Sequence, residues 1–496
     1  MTSALDPRTP VVVGAAEVVH RDGPDFTPAS ATDLMVEAVR EALESTGAAT
    51  TVGTSVGIVL VPHGTWTESD PGRAVAAAIG APAARSIRSE LGVLQQSLLA
   101  RATAEIIAGA NDVVVVVGGE NRWSGVVAAK RGVDVPAAPE LATAGEPDEV
   151  IVPKEMVISP IEIERNLTTA AHQYAIIESA LRHHLGRSIG AHQRELGALW
   201  ARFAQIAADA PASWDTRSMN AEEIAFESDT NRMIAAPYPK WLISQWNVDQ
   251  AAALIVTTVG VATRLDLDES RWVFPLAMAE SNAVIPMPER AELHRWPASQ
   301  LVARRALDSA GVGLDEIGPI DLYSCFPAAV EVQAREIGVS TDRDLTLTGG
   351  MTFGGGPFNN YSLQGAAAMV RTLRGDVEAR IGLTSAVSGL LTKPAVTIWS
   401  NRPPKTPFVA LDLTDEAIAA TARCEVDAHL SGSGVVVGAT VVPARDGSCT
   451  TVAVIEIDGV RTVAQSHDAT LGERLMTSDP VGHPVVVDPP GTFVAA

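Results

Sequence analysis

Cysteine is scarce: Cys325, Cys424 and Cys449 are the only three in 496 residues, far apart and without metal-ligand spacing. A disulfide framework and a zinc site are therefore excluded, and a reducing compartment fits best. Aromatic residues are only 4% of the chain against 46% hydrophobic residues overall, so the core must be built from Ala, Val and Leu, with helices packed closely on sheets. Basic charge is also short, with 37 Lys and Arg against 59 Asp and Glu and a net charge of −22. Such a surface repels polyphosphates and anionic lipid, which argues against nucleic acid and membrane as partners. Long apolar runs are missing too. The longest, such as Val113 to Val117, fall far short of the roughly 20 residues of a membrane span and read as buried strands. The first residues, Met-Thr-Ser-Ala-Leu-Asp-Pro, lack a basic start before an apolar stretch, so no leader is expected and a cytoplasmic location is.

What is present is an internal repeat. Ala38-Val39-Arg40-Glu41-Ala42-Leu43-Glu44-Ser45-Thr46-Gly47 matches Val302-Ala303-Arg304-Arg305-Ala306-Leu307-Asp308-Ser309-Ala310-Gly311 in residue type. Each reads as a helix stopped by glycine, and each is followed by a strand, Val56 to Leu60 and Ile320 to Tyr323. A second pair has the same order. The helix from Ser97 to Gly109 precedes the valine run, and Ser362 to Gly375 precedes Ala379-Arg380-Ile381-Gly382-Leu383. Two halves alternating strand and helix in one order predict an α/β architecture made twice.

Between the halves, about residues 121 to 245, a Pro/Ala/Glu-rich stretch and a helical region bearing His, Arg and Trp form an insertion. Insertions over the mouth of a sheet often carry function. From about Lys405 the chain turns to short alternating strands with Asp-Gly turns, which predict a separate antiparallel β domain or barrel of net charge −7. The expected boundaries are 1–265 for the first half with its insertion, 266–404 for the second and 405–496 for the added domain.

Four segments in order resemble thiolases. Ser89-Glu90-Leu91-Gly92-Val93-Leu94-Gln95-Gln96 and the valine strand after it resemble the nucleophile helix and its strand, with Gly92 in the place of the cysteine. Asn247 to Leu254 resembles the segment closing the first half. Tyr323-Ser324-Cys325-Phe326 stands where thiolases have Asn-Glu-Ala-Phe, or His-Asp-Cys-Phe in the sterol-carrier type. Gly349 to Pro357 resembles the Gly-His-Pro loop with Gly356 in the histidine's place, and Val387-Ser388-Gly389 resembles the Cys-x-Gly motif without its thiol.

The resemblance implies a duplicated thiolase fold, two mixed sheets layered with helices, plus a small OB-like C-terminal domain. Overall plan is closest to mycobacterial-type thiolase-like proteins that have an added domain. Ordinary ping-pong acyl transfer is not expected, because it needs a thiolate held at a helix N-terminus beside a base. Rescue by Ser89 or Ser97 has no visible base. CoA or acyl-CoA is the expected ligand, no cofactor is required, and Gly92, Arg232, Ser244, Phe326, Gly355 and Gly356 are the expected contacts. Arg182, Arg187 and Lys240 are further candidates for its phosphates, and the backbone N–H groups of Gly354 to Gly356 suit a carbonyl oxygen or anion. Tyr323 reads either as a proton-transfer group, as in thiolase-fold aldol lyases that work with an oligonucleotide-barrel partner, or as a packed tyrosine. Cys325 reads as a buried thiol, and His172, His183, His184 and His192 as surface or packing residues. Three roles stay open: a CoA-binding protein of lipid metabolism, a CoA-ester aldol lyase, or an assembly module with a protein partner on its C-terminal domain. The chain is expected to be a monomer or a homodimer.

Overall fold

The computed structural model describes residues 5–21, 23, 26–376, 378 and 380–496. The leader reading of residues 1–4 and the strand start at Ala379 lie outside them. The first sheet has the strand order Pro10–Val19, Asp249–Thr258, Val113–Asn121, Val56–Pro62, Arg85–Ser89, Glu149–Ile151. Its first two pairings are antiparallel and the other three parallel. The second sheet, read from Phe274–Glu280 through Lys393–Ser400 and Ile381–Ser388 to Ile317–Asp321, repeats the first four strands in order and direction. Continuous valine runs suit these strands because helices cover both faces and no face meets water.

Helix Ala31–Glu44 packs on the outer face of the first sheet and Pro297–Ala310 on the outer face of the second. The two repeat motifs thus occupy equivalent places. Helices Gln95–Ile107 and Tyr361–Arg374 lie between the sheets. Their Leu98, Ala102, Leu363, Ala366 and Val370 share one buried cluster with Val116 and Leu254 of the first sheet and Met278 and Trp399 of the second. The result is a five-layer α-β-α-β-α body with a shared apolar core in the middle layer.

The insertion contributes the edge strand Glu149–Ile151, held by Arg101 of the central helix, whose Nη1 and Nη2 donate to Glu149 at 2.8 and 3.0 Å. It also supplies helices Ala170–His184 and Ile189–Asp209. The C-terminal sheet runs Val460–Ser466, Cys449–Ile457, Gly432–Pro443, Pro484–Val487, Phe493–Ala495, antiparallel throughout. Helix Ala469–Thr477 follows its third strand, and a parallel bridge from Gln465 to Thr492 joins the sheet's two ends. Ala439 N donates to Ser179 Oγ at 3.0 Å and Ala236 N to Val441 O at 2.9 Å, which seats this unit on the insertion.

One boundary needs correction. The strand Val409–Asp412 does not begin the C-terminal domain but adds in parallel to Phe274–Glu280 at the edge of the second sheet. Strand propensity could not reveal its partner, because pairing is decided by the exposed edge it meets. Among the described residues no helix is long and apolar enough to cross a membrane.

Trp399 is fully buried in the middle layer and donates from Nε1 to Thr384 Oγ1 at 2.8 Å. Trp399→Ala should cost about 3–5 kcal/mol, read as a lower denaturant midpoint at unchanged slope. A cost below about 1 kcal/mol would contradict the two-sided burial.

Candidate functional site

The N-termini of the two central helices meet. Gln95 Oε1 accepts from Ser362 N at 2.8 Å and its Nε2 donates to Asn359 Oδ1 at 3.0 Å, while Asn359 Nδ2 donates to His63 O at 2.9 Å. A helix start buried this way has orphan N–H groups, and Gln95 satisfies the one on Ser362. Gly92 precedes the first helix with φ +92°, and its carbonyl accepts from Lys393 Nζ at 2.8 Å and Ser388 Oγ at 3.4 Å. Lys393 is 2% exposed, and burial pushes its ammonium below the usual range against the pull of Glu155 and Glu280. Pro153 of the insertion lies 3.4 Å from where a Gly92 Cβ would stand, and Val157 of the insertion packs on Gly389. The insertion therefore covers the place where Gly92 and Ser388 come together.

Lys393 and Glu280 were not legible as site residues, because neither lies within a motif and each acts through a contact from another strand. Ser97 Oγ donates to Glu280 Oε1 at 2.6 Å, so this serine has a carboxylate beside it. Burial raises the Glu280 pKa, and its Oε2 has no hydrogen-bond partner among the described residues. Ser89 is fully buried, and its hydroxyl likewise lacks a partner.

The Gly-rich loop is held from two sides. Trp200 of the insertion helix donates from Nε1 to Thr352 Oγ1 at 2.9 Å, and Phe203 stacks on Trp200 while filling the space beside Gly350. Gly355 has φ +103°, and a Cβ there would run into Gln250; a Cβ on Gly356 would run into Ser244 Oγ. Ser244 and Gly356 are thus brought together. The expected anion-holding role of Gly356 needs correction, because its N–H donates to Gln245 O at 2.8 Å. Gly355 and Gly356 serve close backbone approach.

Tyr323 is half-buried, stands edge-on to Tyr361 with ring centroids 5.6 Å apart, and makes no side-chain hydrogen bond to another described residue. Burial pushes its phenol well above the usual range, so it stays protonated at neutral pH. Burial also pushes the Cys325 thiol up to about 12, which keeps it protonated and unreactive. Behind them lies a buried polar network. Asp321 accepts from Leu347 N at 2.8 Å and Thr346 Oγ1 at 3.1 Å, and Tyr361 OH is 2.9 Å from Thr348 Oγ1 and 3.0 Å from Ser324 Oγ. Burial raises the Asp321 carboxyl to about 6.

Other expected contacts are placed elsewhere. Phe326 is buried between Tyr174, at 4.6 Å centroid separation, and Tyr238, at 5.7 Å, so it is a core residue and cannot touch CoA. Arg182 is committed to Arg187 O and Asp479, and Arg187 to Glu195 and Glu331, which removes both as phosphate ligands. Arg232 is exposed, its carbonyl accepting from Lys240 N at 3.0 Å. Lys240 Nζ sits 4.3 Å and Arg217 Cζ 5.0 Å from the Trp241 ring centroid, and Trp241 stacks on Phe353 of the Gly-rich loop.

His192 is not a surface residue. It is buried with Glu178 and Glu331, with ligand-type atoms within 4.8 Å of one another. Arg187 Nη1 lies 3.3 Å from His192 Nδ1, and a guanidinium only donates, so Nδ1 accepts and Nε2–H donates to Glu178 Oε1 at 2.8 Å. No lone pair on this ring is left for a metal.

The chain matches no protein-family model and no curated protein. Solved structures do resemble it. A monomeric SCP2-thiolase-like protein type 1 from Mycobacterium smegmatis is 30% identical, with 99% of this chain and 100% of that one covered at a TM-score of 0.83. The Ltp2-ChsH2(DUF35) aldolase is 20% identical, covering 79% and 98% at 0.57. An acetyl-CoA acetyltransferase from Syntrophomonas wolfei is 15% identical, covering 80% and 100% at 0.56.

Two outcomes are expected. Gly92→Cys forces a side chain into positive φ, so it should destabilise the chain by about 1–2 kcal/mol and leave it unable to form acetoacetyl-CoA from acetyl-CoA. A stable variant with thiolase turnover would refute the covered site. For Asp321, the folded value of about 6 lies above the ordinary 3.8, so its favourable contribution is complete below about pH 4 and is lost as pH rises through 6. The full loss is about 3 kcal/mol. Asp321→Asn should therefore flatten the fall in urea midpoint between pH 4.5 and 7.5, and equal slopes in both proteins would refute the shift.

Proposed function

We propose, because this chain belongs to the SCP2-thiolase-like proteins of the thiolase superfamily, that it binds CoA or an acyl-CoA without thiolase-type acyl transfer. One observation carries the binding half: Lys240 lies over Trp241, which rests on Phe353 beside Ser244 and Gly356, while Arg217, also over Trp241, is held by Asp215. Against a net charge of −22, a cationic, aromatic rim next to that loop suits an adenine nucleotide with phosphates. Loss of chemistry follows from Gly92, Gly356 and Val387, which carry neither thiol nor imidazole. The Lys393 ammonium, spent on the Gly92 carbonyl, offers no replacement. A role in lipid metabolism within the cytoplasm fits such a ligand.

A second reading is favoured by Tyr323, whose hydroxyl is protonated and has no hydrogen-bond partner among the described residues. It makes the chain a CoA-ester aldol lyase in which the phenol gives its proton to the α-carbon as the C–C bond breaks and the β-hydroxyl proton restores the phenol, the C-terminal unit standing in for the barrel partner. That unit's strand order and its end-to-end parallel bridge support an OB-type barrel, and its acidity favours a protein partner over nucleic acid. A β-hydroxyacyl-CoA cleaved by the wild type and not by Tyr323→Phe would establish this reading.

Calorimetric titration should give saturable CoA binding that weakens about tenfold or more in Lys240→Glu, since a charge-assisted contact is worth roughly 1.5–3 kcal/mol. No saturation at millimolar CoA, or equal binding by the variant, would end the proposal.

A further inference from the structure

A recess of about 290 Å³ opens between the insertion helices and the C-terminal unit, away from every thiolase-like motif. Its walls are largely apolar, with Ile189, Phe226, Met233, Val441, Leu475 and Met476. Phe226 is 39% exposed at this wall, an aromatic ring left open to solvent where a concave apolar surface begins. Two methionines beside it are unbranched and adaptable, as in surfaces that shape themselves to a ligand.

The polar groups that line the recess are already paired. Glu178 accepts from His192 Nε2 and Tyr238 OH, Ser179 Oγ donates to Ile176 O and accepts from Ala439 N, and Thr440 Oγ1 donates to Ala236 O. Arg182 holds Arg187 O and Asp479, and Gln193 Nε2 holds Ala225 O and Pro237 O. A ligand therefore finds no open cation for a buried carboxylate or phosphate. Exposed Glu227, also part of the wall, repels a free acid further. The volume lies near the roughly 300 Å³ lower bound of small-ligand pockets and holds about ten atoms at roughly 30 Å³ each.

We propose that this recess is a binding site for an uncharged aliphatic chain of about eight carbons, either free or as the acyl part of a thioester. The proposal rests on the recess and its saturated polar wall, and it does not need the CoA rim to be correct. Gly190 provides a clean probe: it belongs to the wall, and a Cβ there meets only Arg194 Nη1, at 3.8 Å. A Cβ can be added without a clash, and replacing glycine inside a helix does not weaken the helix.

Full-length protein would be titrated with 1-octanol, octanoate, CoA and octanoyl-CoA by calorimetry, alongside Gly190→Phe and Phe226→Ser. The site is supported if octanol binds saturably and more tightly than octanoate, or if octanoyl-CoA binds at least tenfold more tightly than CoA. Gly190→Phe must remove that advantage by tenfold or more at unchanged melting temperature, and Phe226→Ser must reduce it. The first pattern identifies a free chain and the second an esterified one. Octanol binding without CoA binding defeats the CoA reading and leaves this one standing. If neither octanol nor the octanoyl group adds affinity, or if both variants bind as wild type does, the proposal is overturned.

Discussion

Two helices buried on both sides set the terms for this structure. A helix between two sheets cannot leave its first N–H groups to water, so the N-termini of Gln95–Ile107 and Tyr361–Arg374 must find partners in the protein. Gln95 Oε1 supplies one for Ser362 N, and the Gln95–Asn359 hydrogen bond ties the two halves together at one point. Every motif that resembles a thiolase converges near that point because the duplicated topology brings the same strand and helix ends there twice.

What happens at the junction is a matter of how donors are spent. Lys393 gives its ammonium hydrogen bond to Gly92 O, Gly356 gives its N–H to Gln245 O, and Gln95 caps the second helix. Catalysis of acyl transfer needs donors held open for a developing oxyanion, and these are closed. Pro153 and Val157 then bring the insertion over the same place. The insertion so acts twice: it covers the old nucleophile position, and its helices form one wall of a new recess with the C-terminal unit.

The fold was readable because its two halves repeat short local signals, a helix stopped at Gly47 or Gly311 and a strand soon after. Gly92, Gly356 and Val387 were readable as departures from thiolase motifs that the chain otherwise resembles. Phe326 was misread, since a four-residue motif cannot show that Tyr174 and Tyr238 from the insertion enclose its ring. Lys393, Glu280 and Val157 were invisible for the same reason: their meaning comes from contacts across the sheet order. Arg182 and Arg187 looked like phosphate ligands until Asp479 and Glu331 were found opposite them.

The central claim is that a thiolase body is kept while its acyl-accepting position is closed. Intact mass measurement after incubation with acetyl-CoA or acetoacetyl-CoA tests it most directly. The account predicts an unchanged mass, with Cys325 protonated and Lys393 buried. A stoichiometric acetyl adduct that is discharged by added CoA would contradict it.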